Sequence, residues 1–200
     1  MRASPNPAEV TRIDAGAERN LRFIRDAMER AGSFTAVSGW GLMAIGAIGL
    51  GAYIVSEPAF GATRWTEVWL EAAALAIVAG VVSIVAKARL AGISLVSVPA
   101  RKFALNLAPP LVAAMLLTHA MYLRGQQEWL GSIWLLLYGA GVVTGGFASV
   151  KSVPTMGAMF MLLGWASVVL PPAWTPEILL LGFGGLHLGF GAYIAWRHHG

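Results

Sequence analysis

Six apolar stretches dominate this sequence and restrict what the chain can fold into. They cover residues 34–55, 68–86, 103–123, 130–150, 153–170 and 177–196. A helix of about 20 residues crosses a hydrocarbon core roughly 30 Å thick, so each stretch is long enough to span a bilayer. Only 12% of the 200 residues are charged, whereas a soluble domain carries roughly 25%. We therefore predict an all-α, polytopic membrane protein with six transmembrane helices.

The charged residues are divided unequally between the two sets of loops. If both termini lie in the cytoplasm, every basic residue except Arg64 and Arg124 lies inside, and every acidic residue after position 30 lies outside. This is the distribution that the positive-inside rule describes. The sequence therefore predicts cytoplasmic N- and C-termini. Membrane orientation accounts for the net charge of +4, so we do not expect nucleic-acid binding.

The first 32 residues are predicted to form a separate cytoplasmic segment, a tail followed by an amphipathic helix over residues 17–31. Leu21, Ile24 and Met28 share one face of this helix, and arginines alternate with acidic residues around them. Such a helix can be a solvated lead into the first span, lie on the inner leaflet, dock under the bundle or bind a protein partner. Residues 33–200 are predicted to form the six-helix transmembrane domain.

Glycines in the fourth and sixth stretches have the spacing of helix-packing residues. Gly141 and Gly145 form one small-xxx-small pair, and Gly185 and Gly189 form another, with Gly182 on the same face as the second pair. Small residues at this spacing let two helix backbones approach closely within a membrane. We therefore predict that these five glycines contact neighbouring helices.

Two histidines lie inside the apolar stretches, His119 in the third and His187 in the sixth. Ionisable residues within a span are rare and are the first place to look for function. In one interpretation, each imidazole is a polar contact that donates to a carbonyl or hydroxyl group of a neighbouring helix. In a second, both histidines bind one haem b, or they join Glu71 around a metal ion. In a third, His187 lines a cavity for a lipid-soluble molecule or a proton.

The surroundings of His187 bear on these alternatives. Gly184 lies one turn before it and Gly191 one turn after it, on the face opposite Gly185 and Gly189. The space around these two glycines suits a bulky planar ligand, or it allows the helix to pack on both sides. In the third stretch, Pro109-Pro110 is predicted to break the helix. Such a break can expose carbonyls to a substrate, as in some transporters, or it can be a packed kink whose freed carbonyls are satisfied by neighbouring helices.

Tryptophans cluster near the predicted ends of the spans, where they are typical of membrane–water interfaces. They are Trp65, Trp69, Trp129 and Trp174 on the outer side, and Trp40 and Trp196 on the inner side.

Motifs of catalysis are not found in the sequence. It has no GxxxxGK[ST], HExxH or GxSxG motif and no acidic pair within a span. The absence of cysteine also excludes disulfides and cysteine-ligated metals. These observations favour a protein that is not an enzyme.

The two ends of the chain resemble those of uncharacterised bacterial inner-membrane proteins of about this length. The run from Met28 to Gly41 is similar to their opening, and the run from Phe183 to Gly200 is similar to their ending. The resemblance implies six helices and the bacterial inner membrane, and it implies no activity. Our first hypothesis is therefore a non-enzymatic bundle that binds a protein partner or a small lipophilic ligand. The alternatives are a haem- or metal-binding redox or sensor protein and a small-molecule or ion transporter.

Overall fold

The computed structural model describes residues 34–56 and 63–197 and, before them, Asn20, Leu21 and Ile24. The chain divides into two units, Met1–Ser33 and Phe34–Gly200. In the first unit the three described residues are helical. The rest of the helix predicted over residues 17–31, with the proposed partner contact, lies outside the described residues.

Six helices long and apolar enough to cross a membrane make up the described part of the second unit, which contains no β-strand. They are α1 (Gly39–Ser56), α2 (Thr63–Ala91), α3 (Val98–Arg124), α4 (Leu130–Gly146), α5 (Ser152–Val169) and α6 (Pro172–Arg197). The prediction of an all-helical chain with six apolar helices is therefore confirmed.

The sixth helix is not a regular α-helix. A 3₁₀ turn (Pro172–Trp174) and a short α-helix (Thr175–Leu179) lead into a π-helix (Leu180–Leu186), and α-helix resumes over His187–Arg197. Three of the seven π-helical residues are glycine, which has a low α-helix propensity. Because π-helical turns are rare and often occur at functional sites, this segment directs attention to the neighbouring His187.

The six helices pack as two rows of three. In one row α1 lies between α2 and α6, and in the other α4 lies between α3 and α5. Contacts of α6 with α4 and α5 join the two rows. Among the described residues, α2 and α3 have no comparable contact with each other, although they are consecutive in the chain.

The chain enters α1 through a short extended segment, residues 34–38. Phe34 donates its N–H to the Ala148 carbonyl at 2.6 Å, and the Ser149 hydroxyl donates to the Phe34 carbonyl at 2.7 Å. Ser38 ends the segment, because its side chain accepts the Gly41 N–H at 3.2 Å in the manner of an N-cap. The helix predicted to begin near residue 34 therefore begins at Gly39. Non-helical backbone can persist here because neighbouring groups satisfy the hydrogen bonds of Phe34.

Contacts between helix ends define two ends of the bundle, one basic and one mainly acidic. Lys87 Nζ, near the end of α2, donates to the Val37 carbonyl at 3.1 Å, just before α1. At the opposite end the Thr66 hydroxyl of α2 donates to Gln127 Oε1 at 3.3 Å. We call the first the basic end, and it carries Lys87, Arg89, Arg101, Lys102, Lys151 and Arg197. We call the second the acidic end, and it carries Glu67, Glu71, Glu128 and Glu177 together with Arg64 and Arg124.

The third helix runs without interruption through Pro109 and Pro110, so the predicted break is wrong. Proline has no N–H, and Pro110 therefore leaves the carbonyl of Asn106, four residues earlier, without its usual helical donor. The Thr144 hydroxyl of α4 lies 2.9 Å from that carbonyl and donates to it. The same hydroxyl lies within 3.2 Å of two carbonyls of its own helix, so the neighbouring helix offers a shared donor to one of the two carbonyls that the prolines free.

The tryptophans predicted at the interfaces divide into two groups. Trp40, Trp129, Trp174 and Trp196 are 49–82% exposed, as interfacial anchors would be. Trp65 and Trp69, in contrast, are only 1% and 5% exposed. Trp65 stacks on Trp134 of α4 with ring centroids 5.6 Å apart. These two side chains belong to the interior of the bundle because their large rings fill the space between α2 and α4.

Candidate functional site

His187 lies in the centre of the bundle with no exposed surface. Its Nε2 is 2.7 Å from the Tyr138 hydroxyl of α4, and its Nδ1 is 3.1 Å from the Phe183 carbonyl. A carbonyl can only accept, so we assign the ring proton to Nδ1, and the Tyr138 hydroxyl then donates to Nε2. Both ring nitrogens are therefore occupied. This geometry is that of a polar contact between α6 and α4, with no nitrogen left for a metal.

Aromatic rings enclose His187. Phe160 of α5 meets it edge-on at 5.2 Å, Phe183 stacks nearly parallel to it at 6.2 Å, and Tyr138 lies 5.4 Å away. Phe183 also contacts Trp69 of α2 at 6.0 Å. The aromatic cluster, which we define as Trp65, Trp69, Trp134, Tyr138, Phe160, Phe183 and His187, therefore joins α2, α4, α5 and α6. It encloses the imidazole, which has no exposed surface, and His187 lines neither of the two cavities described below.

Gly184 and Gly191 do not form a ligand clearing. A Cβ at Gly191 would lie 2.8 Å from both the Gly39 carbonyl and the Met43 N of α1. A Cβ at Gly184 would lie 3.7 Å from the Leu50 N of the same helix. The predicted space is filled by α1, whose own glycines allow its backbone to approach that closely. These two glycines thus serve the packing of α6 on α1.

The structure does not bring His119, Glu71 and His187 together. The side chains of His119 on α3 and Glu71 on α2 are exposed, whereas that of His187 is buried. No group of three His, Cys, Asp or Glu side chains within the described ranges could hold a metal ion. Neither a haem shared by the two histidines nor a metal site with Glu71 is formed in this arrangement.

The glycines predicted to pack lie in three environments. Gly141 and Gly145 face α3, where a Cβ would lie 3.2 Å from the Leu107 carbonyl or 3.1 Å from the Phe103 carbonyl. A Cβ at Gly182 would lie 2.6 Å from the Leu135 side chain of α4.

Gly185 and Gly189 are exposed, and a Cβ at Gly189 would meet nothing within 4 Å among the described residues. This pair therefore faces away from the rest of the bundle.

An apolar groove lies between α2 and α3 near the basic end, and sequence reasoning missed it. Its volume is about 280 Å³. Its lining consists of Phe34, Ile84, Leu95, Ala100, Phe103, Ala104, Leu107, Ala108 and Leu111. We call it the lateral groove. The sequence gives little signal for it, because the apolar residues of α2 and α3 are spread around both helices and do not reveal which face is unpacked.

Comparison with protein-family models, curated proteins and solved structures found no match to this chain. The functional argument therefore depends on the residues and geometry of the chain itself.

Proposed function

We propose that the protein is a multi-pass protein of the bacterial inner membrane, with both termini in the cytoplasm, that binds a small lipophilic ligand in the lateral groove without transforming it. The observation that carries the proposal is the separation of α2 from α3, which leaves the groove between them unfilled. The distribution of charge between the basic and acidic ends supports the orientation.

The shape of the groove favours an elongated ligand. Its α3 wall extends from Ala100 to Leu111, which at 1.5 Å per residue is roughly 16 Å of helix. Ala100, Ala104 and Ala108 recur every four residues along this wall and therefore share one face. A row of alanines between larger side chains forms a trough, and a trough of this length accommodates a hydrocarbon chain.

The chemistry of the groove also favours a lipophilic ligand. All nine lining side chains are aliphatic or aromatic, so a ligand would place hydrocarbon there without losing hydrogen bonds to water. Ala104 and Ala108 are exposed at the surface of the bundle. A membrane-dissolved molecule can therefore enter sideways from the bilayer and need not cross the helical rows.

Photolabelling with a long-chain alcohol that carries a diazirine tests this proposal. The neutral probe reports hydrocarbon binding alone. We expect cross-links within residues 100–111, and we expect Ala104→Trp, which fills the trough, to reduce them about tenfold, equivalent to ~1.4 kcal/mol of binding. Leu105→Trp is the matched control, because Leu105 is 66% exposed on the same helix and does not line the groove. Equal labelling of the two variants would contradict the proposal.

A further inference from the structure

A second cavity lies at the basic end, on the other side of the extended segment from the lateral groove. Its volume is about 230 Å³, and its lining consists of Thr35, Val37, Lys87, Ala91, Ile93, Val150 and Ile194. Phe34 faces the groove while Thr35 and Val37 face this cavity, since successive side chains of an extended chain point in opposite directions. The two sites share no lining residue.

Lys87 is the one charged side chain in this lining, and it is half-buried. Its ammonium group donates to the Val37 carbonyl at 3.1 Å, which uses one of its three hydrogens. The carboxylates that the structure describes, Glu67, Glu71, Glu128 and Glu177, all lie at the acidic end. Within the described ranges Lys87 therefore has no carboxylate partner, so an anion that enters the cavity meets a positive charge that no described carboxylate neutralises.

We propose that this cavity binds a small apolar monocarboxylate. The carboxylate accepts hydrogen bonds from the free N–H groups of Lys87 and from the Thr35 hydroxyl. The hydrocarbon body packs against Val37, Ile93 and Ile194. Thr35 is exposed, so the cavity opens to the surface beside the groups that would hold the anion.

The volume of the cavity limits the size of the ligand. An apolar cavity of about 150 Å³ holds benzene, and drug-sized ligands occupy about 300–1,000 Å³. A cavity of about 230 Å³ therefore fits a benzene-sized body with one carboxylate and is too small for a whole phospholipid.

The charge of the cavity selects the anion. One ammonium and one hydroxyl match a singly charged carboxylate. Binding of phosphate usually recruits arginine forks, and no arginine lines the cavity. The inference therefore concerns carboxylates in particular among anions.

Fluorine NMR with para-fluorobenzoate tests the inference on the full chain in phosphatidylcholine nanodiscs. We expect saturable binding that para-fluorotoluene and inorganic phosphate do not displace. Lys87→Gln should weaken binding about tenfold or more, because it removes the charged donor. Ile93→Trp retains Lys87 and fills the cavity, and it should abolish binding. Lys102→Gln removes an exposed cation at the same end that does not line the cavity, and it should bind as the unaltered protein does.

Several results would overturn the inference. Displacement by para-fluorotoluene would show that the carboxylate is not recognised, and displacement by phosphate would show a general anion site. Both competitions use the unaltered chain, so they do not depend on the folding of a variant. The inference would also be overturned if the unaltered protein did not bind para-fluorobenzoate, or if Lys87→Gln bound it as tightly as the unaltered protein does. Because the lateral groove is a separate site, each of these results leaves the proposal for the lipophilic ligand standing.

Discussion

At the scale of single residues, the most informative side chain is His187, which contributes to packing through its polar atoms. Its Nε2 accepts from Tyr138 and its Nδ1 donates to Phe183, so it links α6 to α4. The sequence identified His187 as unusual because an ionisable residue within a span is rare. It could not identify Tyr138 as the partner, because that pairing depends on which faces of two distant helices meet.

The hydroxyl of Tyr138 should therefore stabilise the folded bundle. We expect Tyr138→Phe to lower the free energy of unfolding by about 1–2 kcal/mol, because the His187 Nε2 would lose its donor in a fully buried site. Denaturant titration in mixed micelles, followed by circular dichroism, measures this. Tyr122→Phe is the control, because Tyr122 is 43% exposed. Equal stability of the two variants would show that the bond between Tyr138 and His187 contributes nothing.

At the scale of elements, glycines determine which helices approach closely. The contact of α1 with α6 involves Gly39, Gly46 and Gly49 on one side and Gly184 and Gly191 on the other. The sequence indicated that α6 carries glycines on two opposite faces, but it could not show which face contacts a neighbouring helix. Contact with α1 occupies the face of Gly184 and Gly191, whereas Gly185 and Gly189 remain exposed.

Substituting alanine on the two faces of α6 should therefore have opposite consequences. Gly191→Ala places a Cβ 2.8 Å from the α1 backbone, and we expect it to destabilise the bundle by about 1–3 kcal/mol through overpacking. Gly189→Ala meets open space and should be neutral or stabilising, because alanine has the higher helix propensity. The same titration in micelles compares them. If Gly189→Ala were the more damaging substitution, the assignment of the packed face would be wrong.

At the scale of the whole molecule, the number of helices could be predicted more securely than their arrangement. A span must satisfy its own backbone hydrogen bonds, so a long apolar run indicates a helix whatever its neighbours are. The arrangement in two rows depends on side-chain fit, to which α2 and α3 contribute no distinctive pattern. The lateral groove was for this reason not foreseen. The start of α1 was misplaced because contacts from Ser149 and Lys87 stabilise an extended segment ahead of it.

Labelling of single introduced cysteines can test the orientation across the membrane. The chain contains no cysteine of its own, so only the introduced residue reacts. We expect Glu128→Cys, at the acidic end, to react with a membrane-impermeant maleimide in spheroplasts. Lys151→Cys, at the basic end, should react only after the membrane is opened, because cytoplasmic loops carry the excess of basic residues. Both positions are exposed, so burial does not explain a difference. The reverse pattern would place the basic end outside.

Native mass spectrometry of the purified full chain tests the central claim most directly, because it detects a bound molecule by its mass. We expect the protein to retain a lipophilic molecule when it is released from detergent. Ala104→Trp should lose that molecule, because the new side chain fills the lateral groove, while Leu105→Trp, at an exposed position outside the groove, should keep it. The same bound mass in all three proteins, or none in any of them, would contradict a ligand site between α2 and α3.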